Sequence, residues 1–245
     1  MTLIGTPGGV ARLTGIAFDS SGNLYGSTIT GGGFPPPPPL LTSNLIQVNP
    51  ASGALIQNIG PITGNGSALS MADIAIEPGS NVLYGIEAPN DGLNQQGDLW
   101  TINPHTGVAT LVGNTGFFFD TIAFAPSGTL YLSYAQFAGM GPVNPALGIL
   151  NPATAQIISS VPTADFFGAL AVRPGDNVIF GSPGAEGQLL TLNPNTGAET
   201  LVGSTGPNLV GALAFAPVPE PGTLGLLGAV GILAGFVGRR RFLRH

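Results

Sequence analysis

The chain has 245 residues, only 7% of them charged, no cysteine and a formal net charge of −6. The lack of cysteine excludes disulfides, thiolate zinc sites and thiol catalysis. Residues 1–217 hold eleven carboxylates against Arg12 and Arg173, with no lysine anywhere in the chain, so no basic footprint exists and nucleic acid is excluded as a partner.

With 43% hydrophobic residues, 39 Gly and 23 Pro, the composition predicts an all-β domain with many tight turns. In chain order, residues 1–7 lack the basic and apolar regions of a signal peptide. Residues 2–8 instead read as an outgoing strand. A recurrent first strand follows at 13–19, 72–78, 121–126, 169–174 and 212–217, with Ile16, Ile74, Ile122, Leu170 and Leu213 in register at spacings of 58, 48, 48 and 43 residues. After the first four copies come a Ser/Gly/Asn turn and a second strand, at 23–26, 82–85, 129–132 and 178–181. Residues 31–39, with five consecutive prolines, read as a polyproline II insertion that lengthens the first period.

The second half of each unit is a hairpin around Asn49-Pro-Ala-Ser-Gly53, Asn103-Pro-His-Thr-Gly107, Asn151-Pro-Ala-Thr-Ala155 and Asn193-Pro-Asn-Thr-Gly197. Asn caps the turn, Pro presets φ and Gly takes the left-handed position. Ala155 departs from that rule, which predicts a different loop geometry or backbone strain in the third unit. Outgoing strands read from Thr110 to Gly116 and from Thr200 to Gly206.

Four strands in roughly 45 to 50 residues predict the blade of a β-propeller. The expected fold is therefore a β-propeller or incomplete propeller over 1–217, with repeats near 13–71, 72–120, 121–168 and 169–211 and two orphan strands, at 2–8 and 212–217. A ring of these pieces lacks the two middle strands of a fifth blade. That predicts either a reading frame preceded by further blades and an export signal, or an open array with exposed edges; a four-bladed ring with peripheral orphan strands is the remaining arrangement. The strand order and the run Phe18-Asp19-Ser-Ser-Gly-Asn-Leu-Tyr25 resemble the broad group of extracellular propellers with NHL-type and SMP-30-like repeats.

Candidate chemistry is sparse. His105 lies in a hairpin loop and reads as a solvated turn residue, and no Gly-x-Ser-x-Gly elbow surrounds any serine. Asp73, Asp120 and Asp165 fall before first strands, where three converging carboxylates and backbone carbonyls would suit calcium; each equally suits a turn cap. Trp100, Phe117, Phe118, Phe119, Phe166 and Phe167 form a pool for sugar stacking or for filling gaps between blades, with 117–119 and 166–167 placed in connections. The resemblance to SMP-30-like propellers implies a metal-dependent hydrolase or lactonase as the enzymatic alternative. Against that stands the lack of a repeating Glu/Asp/Asn set, and the expectation is a protein that is not an enzyme.

The chain closes with Val218, Pro219, Glu220 and Pro221, an apolar run over 222–238, and Arg239, Arg240 and Arg241 in a basic tail 239–245. As a helix the run spans roughly 24 to 27 Å, enough for a transmembrane segment once its flanks snorkel. Positive charge stays cytoplasmic, so the preceding residues face outward. This order of motif, helix and basic cluster resembles the PEP-CTERM sorting signal of exopolysaccharide-producing Gram-negative bacteria. The resemblance implies an exosortase as partner, cutting near Pro219 to Pro221. It also implies an inner-membrane intermediate and release to the cell surface or extracellular matrix, with extracellular polysaccharide as a candidate ligand.

Overall fold

The computed structural model describes residues 8, 12–30, 41–88, 97–138, 141–183, 187–206 and 210–217, without the side chains of 118–120, 137, 138, 141 and 142. Residues 2–7, the proline insertion, Val218 to Pro221, the run 222–238 and Arg239 to Arg241 lie outside that set. Among the described residues no helix is long and apolar enough to cross a membrane.

Four antiparallel sheets follow one another along the chain. The first contains β1 (Leu13–Phe18), β2 (Leu24–Thr28), β3 (Asn44–Val48) and β4 (Leu55–Pro61). A short hairpin, β5 (Thr63–Gly64) and β6 (Ser67–Ala68), precedes the second, formed by β7 (Met71–Ile76), β8 (Leu83–Glu87), β9 (Asp98–Ile102) and β10 (Val108–Asn114). The third contains β11 (Phe118–Phe124), β12 (Leu130–Ala138), β13 (Gly141–Leu150) and β14 (Ile157–Pro162), and the fourth β15 (Phe167–Val172), β16 (Ile179–Pro183), β17 (Gln188–Leu192) and β18 (Glu199–Ser204). In every sheet the four blade strands lie in chain order from hub to rim, with β5 and β6 added outside β10 in the second, and β1 packs on β7, β7 on β11 and β11 on β15. The result is a four-bladed β-propeller.

One expectation changes. Strands β11 and β15 begin at Phe118 and Phe167, so Phe118, Phe119 and Phe167 belong to strands instead of connections. A bulge in each first strand, between Leu13 and Gly15, Met71 and Asp73, Phe119 and Thr121, and Phe167 and Ala169, carries the ladder upstream of the repeated motif. The hairpin of β5 and β6 has no counterpart among the described residues of the other repeats, and β5 pairs parallel with β10 at the outer edge of blade 2.

The core lies between blades. Strand alternation gives β7, β11 and β15 two buried faces: Ala17, Ala75 and Ala123 face the following blade, while Ile74, Ile122 and Leu170 face the preceding one. Tyr84 of blade 2 meets Phe124 of blade 3 with ring centroids 5.3 Å apart. Within the sheets a small residue opposes a large one: Gly26 pairs with Ile46, Gly85 with Trp100 and Gly181 with Leu190. Blade 3 reverses the assignment, with Leu132 on the second strand and Gly148 on the third. A Cβ on Gly85 would sit 2.6 Å from Ile102 Cδ1 and 2.8 Å from Met71 Sδ, so the exchange preserves volume where two side chains cannot fit.

The third Asn-Pro loop keeps the geometry of the others and carries the strain. Ala155 has φ 58°, against 69°, 73° and 72° at Gly53, Gly107 and Gly197, and its amide still donates to the Asn151 carbonyl at 2.9 Å. Its methyl is buried in the core between blades 2 and 3. At Gly197 no such room exists, because a Cβ would collide with the Pro162 carbonyl of the preceding blade. Gly197→Ala should therefore cost at least about 2 kcal/mol in denaturant unfolding, from left-handed strain plus the clash. Ala155→Gly should stay within about 1 kcal/mol of the parent, because relief of strain offsets a lost buried methyl and added chain entropy.

Candidate functional site

Strands β1, β7, β11 and β15 are the inner edges of their sheets, so each turns one unpaired backbone edge toward the propeller axis. Residues 16–18, 74–76, 122–124 and 170–172 surround a cavity of about 380 Å³, within the usual range for small-molecule sites. A fifth wall comes from Leu213, Ala214, Phe215 and Pro217. This segment was expected to be a first strand; it lies in a first strand's place yet joins no sheet. Of the three arrangements expected for the orphan strands, the peripheral one fails for 212–217, which stands at the hub. Phe215 packs on Phe180 of blade 4 at 5.4 Å, while the Cα of Gly211 faces the Leu13 carbonyl of blade 1.

The cavity opens at the turns between first and second strands, where Asp19, Ser20, Gly79, Asn81 and four prolines, Pro78, Pro126, Pro174 and Pro217, form the rim. Asn81 Nδ2 donates to Ser20 Oγ at 2.7 Å and the Ser20 amide donates to Asn81 Oδ1 at 2.9 Å, tying blades 1 and 2 at that rim. Asp19 accepts from the amides of Ser21 and Asn23 and from Asn23 Nδ2, so its carboxylate closes its own turn. Nearby, Arg173 stacks 5.0 Å over Phe180 and pairs with Asp176 at 2.6 Å.

The opposite end of the hub is stitched by side chains. Asp73 is buried; its Oδ1 accepts from the Ile74 amide at 2.8 Å, and its Oδ2 from Thr121 Oγ1 at 2.5 Å and the Ile122 amide at 3.1 Å. Thr121 Oγ1 in turn accepts from the Leu170 amide at 3.0 Å. On the other side Gly15 lies directly against Asp73, where any Cβ would strike the carboxylate. One chain of contacts thus runs through blades 1, 2, 3 and 4. Outside it, Ser133 Oγ accepts from the Phe167 amide at 3.1 Å and Ser43 Oγ from the Met71 amide at 2.8 Å. Thr121, Ser133 and Ser43 escaped the sequence reading; the signal available for Thr121 was a polar residue at the position of Asp73 in the next repeat.

The other two expected carboxylates are Asp120 and Asp165. Asp120 occupies the bulge of β11, and its side chain lies outside the described residues. Asp165 lies before β15, where its amide and that of Ala164 donate to Glu199 Oε1 at 3.0 and 2.8 Å. Among the described residues no three His, Cys, Asp or Glu side chains are grouped to hold a metal ion. Trp100 and Phe167 are buried, and Phe117 packs on Tyr134 at 4.8 Å, so these three serve the core. His105 sits in its exposed loop as expected, its amide held by Asn103 Oδ1.

Two carboxyls are displaced in the same direction. Burial raises Glu87 above its ordinary 4.5, Trp100 Nε1 donates to it at 2.9 Å and opposes the rise, and Asp98 adds to it. Burial also raises Glu199, the two amides opposing and Asp165 adding.

Residues 217–241 match the family model for the PEP-CTERM protein-sorting motif. The chain carries that motif, which marks an exported, C-terminally sorted protein. No curated protein matches it. Among solved structures, a protein of unknown function from Dyadobacter fermentans superposes with TM-score 0.54 at 8% identity, covering 79% of this chain and 65% of its own. The PQQ-bound aldose sugar dehydrogenase of Streptomyces coelicolor gives 0.54 at 13% identity, with 87% and 75% covered. A Bacteroides thetaiotaomicron protein of unknown function gives 0.50 at 14%, with 80% and 44% covered. The chain spans less than two thirds of the Dyadobacter and Bacteroides proteins, and these likenesses show the propeller fold alone.

Two outcomes follow for the carboxylates. Asp73→Ala strands a hydroxyl and two amides in the hub and should cost about 3 kcal/mol or more in thermal or denaturant unfolding, while millimolar calcium should leave the parent Tm unchanged. For Glu87 the folded state holds its proton to higher pH than the unfolded chain, so the contribution is present at low pH and lost as pH rises from about 4.5 through the raised folded value. Glu87→Gln keeps an oxygen acceptor for Trp100. It should raise Tm at pH 7, converge with the parent at low pH, and remove the acidic titration of fluorescence from Trp100, the chain's single tryptophan.

Proposed function

We propose that this protein is an exported propeller delivered through its C-terminus by an exosortase to the cell surface or extracellular matrix, where it acts as a non-catalytic binding or structural module. The observation that carries the reading is the junction at Pro217: the last hub residue lining the channel is also the first residue of the sorting motif. In this account the run 222–238 holds the chain in the inner membrane and Arg239, Arg240 and Arg241 keep its end cytoplasmic. Val218, Pro219, Glu220 and Pro221 serve as the exosortase's substrate.

Support for a non-catalytic role comes from the hub. Asp73, the buried carboxyl beside the axis, is engaged in joining neighbouring strands, and Asp19, the charged residue among those lining the cavity, is engaged with its own turn. Membership of the NHL-type and SMP-30-like group accords with the blade pattern, and extracellular polysaccharide is the ligand class that accords with sorting to the matrix. The test is a triple substitution of Pro219, Glu220 and Pro221 by Ala in the native host. The parent should appear in the surface or medium fraction; the variant should accumulate in the inner membrane, reducing released protein by tenfold or more. Equal release of both would overturn the role of the motif.

A further inference from the structure

The chain holds a single Asn-Gly pair, Asn65-Gly66. It forms the two-residue loop of the hairpin of β5 and β6, between the paired residues Gly64 and Ser67, with φ 51° at Asn65 and 81° at Gly66. Positive φ at both loop residues makes a type I′ turn, which is why these two residue types stand there. Asn65, Gly66, Ser67 and Ala68 are all exposed, and a Cβ on Gly66 would meet nothing within 4 Å. Among the described residues neither the Asn65 side chain nor the Gly66 amide has a hydrogen-bond partner.

Other asparagines are held or disarmed. Asn49, Asn103, Asn151 and Asn193 each precede a proline, which has no amide N–H, and each side-chain oxygen already accepts from an amide of its own loop. Asn81 is locked to Ser20 across the rim, and Asn114 holds both Asp98 and the Gly116 amide.

We propose that Asn65 is a site of spontaneous deamidation, at which the hairpin covering the outer edge of blade 2 is altered without any enzyme. The Gly66 amide nitrogen, on losing its proton to water or hydroxide, attacks Asn65 Cγ. The new C–N bond closes a five-membered cyclic imide, and the side-chain nitrogen leaves as ammonia. Water then adds to one of the two imide carbonyls. Opening at Cγ leaves aspartate, and opening at the main-chain carbonyl leaves isoaspartate, whose main chain runs through Cβ and Cγ. The sum is one water consumed, one ammonia released and one negative charge gained at neutral pH, with no oxidant or reductant.

The fold sets where the reaction starts and what it changes. At the base of the hairpin Ile62 and Leu69 are buried, the Leu69 amide donates to the Ile62 carbonyl at 2.9 Å, and the Thr63 amide donates to the Gly107 carbonyl at 3.1 Å. Above that base stand two residue pairs, Thr63 with Ala68 and Gly64 with Ser67, so the tip opens locally while the blade stays folded. Such opening frees ψ of Asn65 to bring Cγ onto the Gly66 nitrogen, and glycine leaves the approach clear. Isoaspartate then adds a methylene to the main chain of a loop whose pairing depends on its being two residues long. The type I′ turn is lost, β6 separates from β5, and β5 becomes the open edge of the second sheet.

The test incubates the full chain in detergent at mildly alkaline pH and reads each asparagine by peptide mass after digestion, beside a synthetic peptide copying residues 60–71 as the unfolded reference. The proposal expects a gain of about one dalton at Asn65, as both aspartate and isoaspartate, faster at higher pH. It should run ahead of Asn58 and Asn195, which precede Ile59 and Thr196, by at least about tenfold. Gly66→Ala should slow it by a similar factor, because a methyl hinders the approach and restricts the backbone. Hydrogen exchange at 67–68 should quicken in the modified fraction alone. Asn65 unchanged in the chain while the peptide deamidates, modification spread evenly over the asparagines, or aspartate without isoaspartate would overturn the proposal. The sorting reading is independent of these outcomes, because it rests on release of the chain.

Discussion

Neighbouring blades of this propeller share no backbone ladder at the hub, and the carboxylate of Asp73 takes its place. Within a blade, main-chain hydrogen bonds fix strand to strand; between blades, only side-chain packing and a few polar contacts fix one sheet against the next. Asp73 accepts from the amide after it, from the Thr121 hydroxyl and from the Ile122 amide, and Thr121 passes the connection to Leu170. Three donors converge on this buried carboxyl, so the hydroxyl and both amides are satisfied inside the hub. It also excludes alternatives, since Gly15 leaves no space for a shift of β1. The carboxyl whose place near the axis suggested a metal ligand also joins blade 2 to blade 3 through Thr121 and Ile122.

Packing outward from that belt repeats one solution with local exchanges. Alanine on one face and a branched or aromatic residue on the other let each first strand nest between neighbours. The reversal at Leu132 and Gly148 shows that the conserved quantity within a blade is paired volume and not the identity at either position. At the perimeter, the exposed Ile56, Ile158 and Val202 each sit in a bulge of an outer strand. Those bulges, with Pro61 and Pro162 at strand ends, twist and interrupt edges that carry almost no charge and would otherwise template pairing with another chain.

Most of this architecture was legible because each element has a local cause. First strands, second strands and Asn-Pro loops recur in register, and even the irregular Ala155 announced its strain. The hairpin of β5 and β6 was not legible, since among the described residues it occurs in one repeat and each strand is too short to show alternation. The upstream starts of β11 and β15 were hidden by bulges, which break period two at the residue where the motif begins. Three carboxylates near first strands look alike in sequence, and that pattern could not show that Asp73 reaches the next blade through Thr121. Trp100 and Phe167 point the same way, since an aromatic residue in a Gly-rich repeat signals a large void to fill as readily as a sugar platform.

The fifth hub segment connects fold to destination. Residues 211–217 close the channel, and the sorting motif starts at Pro217, so a cut at the motif leaves the hub whole only if it falls beyond that residue. Intact-mass measurement of the protein recovered from the medium or cell surface of its native host tests this most directly. The account predicts a species that retains Gly211 to Pro217 and lacks the apolar run and arginine cluster. A chain ending at His245 and confined to the membrane, or a released species cut before Gly211, would contradict it.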